Sequence, residues 1–337
     1  MKEGTVFTLL LVLFSITILI TLTACTQEFT GYAIIPDEPV IIEETNIPPK
    51  VYFCPEDNCS SHLIQTLGEA NDYVYCALFD LDIPELIDFF KDLNKRIDVK
   101  IVIDNNNKLE GDYDFIIYDD KSLLSHNKFC VIDGEIITTG SFNPTINGDT
   151  KNNNNFVIFY SEYLAKNYLD EFNELWDGIY GKGSPVIYPE IYFNGNLIEN
   201  YFCPDDQCEE HVIDVLNAAE ESIYFMTFSF TSDPIGDTII EKHQEGIEVA
   251  GLFEKQQNSK YNEIHKMQEK EMNVTWDISN DRGKLHHKVF IIDKEIVITG
   301  SYNPTASGNK RNDENLVIIH DKDVADLFLN KFYTIFG

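Results

Sequence analysis

Two apolar rhythms alternate along most of the chain. Leu63, Leu67 and Ala70 recur at helical spacing, as do Val212, Leu216 and Ala219, and each group predicts one buried helix face. A short aromatic and β-branched run follows each, Tyr73 to Phe79 and Ile223 to Phe230, of strand length. The next helix in each case leads to a second strand, Val99 to Asp104 or Val249 to Phe253. A third follows at Lys128 to Ile132 or Lys288 to Ile292, and a fourth at Ile136 to Thr139 or Ile296 to Thr299. The stripes Leu164, Tyr168, Phe172, Trp176 and Ala325, Phe328, Leu329, Phe332 predict a closing helix whose aromatics enter the core.

The same order is thus written twice, at an offset of 149 residues early and 160 later. This predicts an α/β fold of two pseudo-twofold-related repeats, 51–180 and 201–337, each a mixed β-sheet flanked by helices, with function where they meet. Residues 26–50 and 181–200 are expected to be linkers.

Charge narrows the partners. With 57 acidic and 25 basic residues the formal charge is -32, which argues against a general nucleic-acid binder but leaves room for a small cationic site. At the N-terminus, Lys2 precedes an uncharged, mostly apolar run from Val6 to Ala24 that reads as an export segment. It ends Leu22-Thr23-Ala24-Cys25, which resembles the lipobox of bacterial-type lipoproteins and implies lipid on Cys25. An uncleaved signal anchor is the alternative, since the run is long enough to span a bilayer. Both readings place residues 26–337 outside the cytoplasm, held at a membrane.

The cysteines fit that compartment. Cys54 and Cys59, and Cys203 and Cys208 in the equivalent place, are expected to form two local disulfides. His62 and His211 follow each pair by three residues, so a Cys-x4-Cys-x2-His metal site stays open as the alternative. Cys76 and Cys130, in apolar runs, read as buried thiols.

The candidate chemistry is also duplicated. The first copy runs His126-Asn-Lys128, then Asp133, then Gly140-Ser141-Phe-Asn143; the second runs His286-His-Lys288, Asp293, Gly300-Ser301-Tyr-Asn303, with identical gaps. Six identities at fixed gaps match a random start with probability on the order of 10⁻⁷ to 10⁻⁸ at average residue usage. His and Lys two apart on a strand project to one face. An imidazole is a good nucleophile near neutral pH and its phosphoryl adduct remains hydrolysable, while a second imidazole in different surroundings can hold the proton for the leaving group. Lys128, Lys288, Asn143 and Asn303 are candidate donors to phosphate oxygens, with Ser141 and Ser301 nearby. No metal or cofactor is required. Asp133 and Asp293 belong to the motif, but their spacing puts them off the His–Lys face, and they read as supports for the local turn. His243, His265 and His320 have no counterpart in the repeat and are expected at the surface.

The pattern resembles the phospholipase D superfamily, whose signature His-x-Lys-x4-Asp with Gly-Ser-x-Asn is present twice per active site. The ending Asn312-Asp-Glu314-Asn315 resembles the short secreted endonucleases of that superfamily; the first copy has Asn152-Asn-Asn154-Asn155 there. The resemblance implies a phosphohistidine intermediate with His126 as nucleophile, Glu314 orienting it across the pseudo-twofold, and His286 as general acid and then base. Three roles remain open: hydrolysis of phospholipid headgroups, cleavage of nucleic acid, or a non-catalytic envelope module. Net charge favours the lipid reading, and the duplication favours a monomer. Asn105 to Leu109 and Lys255 to Lys260 are expected to be loops at the substrate rim.

Overall fold

The β-branched runs find one another in two sheets, described by a computed structural model over residues 41–119, 124–277 and 283–337. The export segment, Cys25 and the first linker up to residue 40 lie outside the described residues. A short strand β1 (Ile42–Glu44) comes first. The first repeat then supplies β2 (Lys50–Cys54), β3 (Tyr73–Leu78), β4 (Asp98–Ile103), β5 (Ile116–Tyr118), β6 (Lys128–Ile132), β7 (Ile136–Gly140) and β8 (Asn154–Tyr160), which assemble in the order β2-β8-β7-β6-β3-β4-β5. β3, β4 and β5 run parallel, and β6 joins β3 antiparallel, so the sheet is mixed.

The second repeat repeats that order. After β9 (Glu190–Phe193) come β10 (Asn196–Cys203), β11 (Ser222–Thr227), β12 (Glu248–Phe253), β13 (Asn273–Trp276), β14 (Lys288–Ile292), β15 (Ile296–Gly300) and β16 (Glu314–His320), arranged β10-β16-β15-β14-β11-β12-β13. β9 and β1 extend its β10 edge. The two expected linkers are therefore partly sheet. Residues 190–203 form a hairpin turning at Asn194-Gly195, both at positive φ (53° and 84°), and Ile42 of the first linker pairs with Ile191. The signal was present in the Asn-Gly dipeptide, whose residues accept the left-handed conformation a two-residue hairpin turn needs.

Helices cover both faces of each sheet: α1 (Cys59–Leu67), α2 (Pro84–Leu93), the one-turn α3 (Ile146–Thr150) and α4 (Glu162–Trp176), then α5 (Cys208–Asn217), α6 (Asp233–Gln244), α7 (Ile264–Glu269), α8 (Ala306–Lys310) and α9 (Lys322–Phe336). The closing helices start where a side chain satisfies free backbone donors: Ser161 accepts from Leu164 N at 3.1 Å, and Asp321 from Asp323 N at 2.8 Å. Ala70 and Ala219, placed in the first helices by spacing, fall just beyond their ends. The central core joins Tyr168 and Phe172 of α4 and Phe328 and Phe332 of α9 to the inward residues of both sheets, such as Phe129, Val157, Val289 and Val317. Cys130 and Ile132 point from β6 into the opposite core under α1 and α2, which is why that strand is apolar on both faces. Each fully buried aromatic contributes about 2–3 kcal/mol of burial energy.

Among the described residues three disulfides are formed. Cys54–Cys59 and Cys203–Cys208 are as expected, and His62 and His211 stack on Tyr52 and Tyr201 at 3.6 and 3.5 Å between ring centroids, which takes both rings out of any shared metal site with those sulfurs. Cys76 and Cys130 are bonded and not free thiols. They face each other directly across β3 and β6, a register invisible until the two strands are paired.

Candidate active site

The His–Lys strands β6 and β14 are each entered through a segment held by the other half. His126 N donates to Asp313 O and His286 N to Asn153 O, both at 2.9 Å, so each half fixes the other's histidine backbone. Gly140 and Gly300 close the far side: at φ 122° and 133°, a Cβ there would lie 2.6 and 2.3 Å from the carbonyl oxygens of Asn155 and Asn315. Only glycine permits that approach. It places Ser141 and Ser301 where each hydroxyl accepts the N–H of that same asparagine, at 3.0 and 2.9 Å.

The two imidazoles open onto one cavity of about 640 Å³, also lined by Asn143 and Asn303. His126 is held through Nδ1, 2.7 Å from Glu314 Oε2, an oxygen that also accepts from Ser301 Oγ at 2.8 Å; Asn312 Nδ2 donates to the other carboxylate oxygen at 3.3 Å. His286 is held through Nδ1 by Asn154 Oδ1 at 2.8 Å and Ser141 O at 3.1 Å. With both Nδ1 atoms engaged, both Nε2 atoms are left for the cavity. Lys128 and Lys288 are 4% and 2% exposed, and each donates to the carbonyl of its own motif's histidine, at 2.6 and 2.9 Å. Lys288 Nζ also stands 3.3 Å from His286 Nε2.

Burial governs the charge states. It lowers Lys128 to about 7 and holds Lys288 well below the usual lysine range. It pushes Glu314 up to about 8, while burial and the ammonium groups of Lys128 and Lys288 keep His126 well below the ordinary imidazole value. The 2.7 Å contact with Glu314 engages His126 Nδ1 and leaves Nε2 to the cavity. His286 is lowered by burial, then Lys288 and Lys128, with His126 adding to the effect.

Some expected site residues act one step away. Ser141, Ser301 and Glu314 are fully buried and hold other side chains, without lining the cavity themselves. Asp133, grouped with the catalytic motif, instead accepts three backbone N–H groups, from Asn71, Asp72 and Tyr73, at 2.7–2.9 Å; Asp293 does the same for Glu220, Glu221 and Ser222. Each aspartate sits at φ 52° and ties the loop before β3 or β11 to the end of β6 or β14. His243, His265 and His320 lie off the cavity; His320 pairs with Glu199 at 2.7 Å. Gln256 and Gln257 bring the second expected loop to the cavity, whereas none of Asn105–Leu109 is among its described lining residues.

Two ring contacts were not anticipated. Phe79 packs edge-on against His126 with centroids 4.9 Å apart, and Phe228 against His286 at 4.7 Å. The signal was a phenylalanine at the same place after both first strands, separated by the repeat offset.

Fold and site together define a duplicated α/β phosphodiesterase, in which each half lends one imidazole to a shared cavity and buries one lysine behind it. The sequence pattern of the family described as "Cardiolipin synthase, PLD-like domain" matches residues 63–176 and 212–336, one match per repeat, and the chain belongs to this phospholipase D-like family. A phospholipase D of Rickettsia conorii is 34% identical over 136 residues, 40% of this chain and 67% of that protein. A mitochondrial cardiolipin hydrolase of Mus musculus is 32% identical over 118 residues, 35% of this chain and 52% of that protein. The phosphatidylserine synthase of Haemophilus influenzae superposes with a TM-score of 0.63 over 83% of this chain and 84% of its own, at 11% identity, a likeness of fold.

Proposed function

We propose that the protein hydrolyses phospholipid headgroup esters through a phosphohistidine, outside the cytoplasm and tethered at a membrane by its N-terminus, as a monomer. The observation that carries the mechanism is two imidazoles from separate halves on one cavity, each held through Nδ1 by a different partner, Glu314 for His126 and Asn154 for His286. His126 Nε2 attacks phosphorus, the P–O bond to the leaving group breaks, and His286, protonated at Nε2 once the phosphodiester anion is bound beside it, gives that proton to the departing oxygen. Water then attacks phosphorus from the leaving-group side, His286 takes its proton, and the P–N bond breaks to restore His126. Lys128, Lys288, Asn143 and Asn303 supply donors to the phosphoryl oxygens.

The lipid substrate is favoured by the similarity to a phospholipase D and a cardiolipin hydrolase and by a charge of -32, which repels extended polyanions. Three disulfides support an oxidising compartment. Lipid on Cys25 is the preferred anchor. The test uses the full chain in detergent with bis(p-nitrophenyl) phosphate, whose leaving group needs no acid. His286→Gln is expected to release about one p-nitrophenol per enzyme and then stall as an acid-labile phosphoenzyme, and His126→Gln to give no burst. A burst that survives His126→Gln overturns the covalent route. Substrate is read in parallel on phosphatidylcholine vesicles and single-stranded DNA in one buffer: faster cleavage of DNA would favour a nuclease, and no cleavage of any diester a binding module.

A further inference from the structure

The floor of the cavity obeys the pseudo-twofold, but its rim does not. Phe79 and Phe228, against His126 and His286, mark the two ends of the line along which the ester is broken. At the His126 end the lining continues into Asp80, Asp82 and Leu124. The repeat puts Ser229, Thr231 and Lys284 in the equivalent places at the His286 end. Lys284 Nζ lies 5.7 Å from the Phe228 ring centre. Lys151 reaches that end from the other half: its carbonyl oxygen lies 2.4 Å from where a Cβ on Gly283 would be, beside Lys284. Among the described lining residues, Asp80 and Asp82 are the only carboxylates and Lys151 and Lys284 the only lysines, so the acidic and basic groups stand at opposite ends.

In-line displacement puts the leaving group opposite the nucleophile, at the His286 end. We propose that Lys151 and Lys284 are specificity-determining residues that select a phosphodiester whose leaving group carries a second phosphate. The inference rests on the phospholipid reading and on His126 as nucleophile. A headgroup ending in a phosphomonoester places its extra charge between two lysines. A quaternary ammonium headgroup meets two like charges there and, among the described lining residues, no carboxylate. A nucleic-acid strand has phosphates on both sides of the scissile one, and brings one of them towards Asp80 and Asp82. Among its described residues the rim thus favours extra negative charge on the His286 side, and it also decides which of the two ester bonds faces His286.

The test compares short-chain monomeric lipids, which removes repulsion between an acidic protein and an anionic vesicle. Dihexanoyl phosphatidylglycerol and dihexanoyl phosphatidylglycerophosphate differ only by the terminal phosphate. At low salt the ratio of kcat/KM, phosphate-bearing over plain, is expected to exceed one. It should fall about fivefold for each of Lys151→Gln and Lys284→Gln, mostly through KM, as suits partly screened charges at a rim. It should also shrink as salt is added. A wild-type ratio of one, or a ratio that the double variant preserves, refutes the inference while leaving the phospholipid reading intact. Cleavage of neither lipid removes both. An oligonucleotide cleaved with higher kcat/KM than either lipid, and faster still after Asp80→Asn, assigns the basic rim to a nucleic-acid strand instead.

Discussion

Glu314→Gln isolates the charge behind the nucleophile while keeping its shape. The carboxylate is completely buried and one oxygen serves both His126 Nδ1 at 2.7 Å and Ser301 Oγ at 2.8 Å. As His126 attacks phosphorus its ring acquires positive charge, and the bond from Nδ1–H to an anionic carboxylate strengthens. A hydrogen bond to a charged group contributes about 1.5–3 kcal/mol, against about 0.5–1.5 kcal/mol for a neutral one. A glutamine oxygen can still hold the ring in the same tautomer, so only that difference of about 1–2 kcal/mol is lost, and phosphorylation should slow about 5- to 30-fold. Stability should hold or rise, because a buried carboxylate pushed up to about 8 by burial, against the lowering pull of Lys128 and its hydrogen-bond donors, is replaced by a neutral amide. The assay is stopped-flow release of p-nitrophenol, which separates the burst from steady turnover, together with the melting temperature of the variant. A merely structural role for Glu314 predicts the reverse, a lower melting temperature with a normal burst rate in the folded fraction. A burst within twofold of wild type would refute the reasoning.

Two further outcomes follow from the same geometry. Burial holds Lys128 at about 7 in the folded chain against an ordinary lysine value of 10.5, so above neutrality the unfolded chain binds more protons and this group's contribution to stability rises with pH through that window, and is lost as pH falls towards 7. An anion in the cavity recharges it: titration calorimetry of inorganic phosphate at pH 8 in buffers of different ionisation enthalpy should show uptake of about one proton, and buffer-independent heats would contradict the assignment. Asp133→Asn keeps a residue that tolerates φ 52° but weakens three hydrogen bonds to backbone N–H groups, and should cost about 2–4 kcal/mol in urea unfolding while kcat per folded molecule changes less than fivefold; a large fall in kcat without loss of stability would return Asp133 to the chemistry.

What could be read from the chain was what repeats. β6 and β14 coincide with the expected 128–132 and 288–292, because continuous apolar runs flanked by turn residues leave little choice of boundary. β5 and β13 were lost in stretches that differ between the copies, and β1 and β9 are short strands added outside the β10 edge, β9 on β10 and β1 on β9. The Cys76–Cys130 bond and the cross-half contacts of His126 and His286 depend on which strands are neighbours, which one-dimensional spacing does not encode. The site divides along the same line. Its floor was legible because two halves must each supply the same groups to one phosphorus, and repetition marks them. Glu314 against Asn154, Asp80 against Ser229 and Leu124 against Lys284 are places where the halves differ. A nucleophile and a general acid must be unlike, and so must the two sides of an unsymmetrical diester. It is therefore at the broken symmetries, which a search for repeats passes over, that this chain distinguishes the two histidines and the two ends of its substrate.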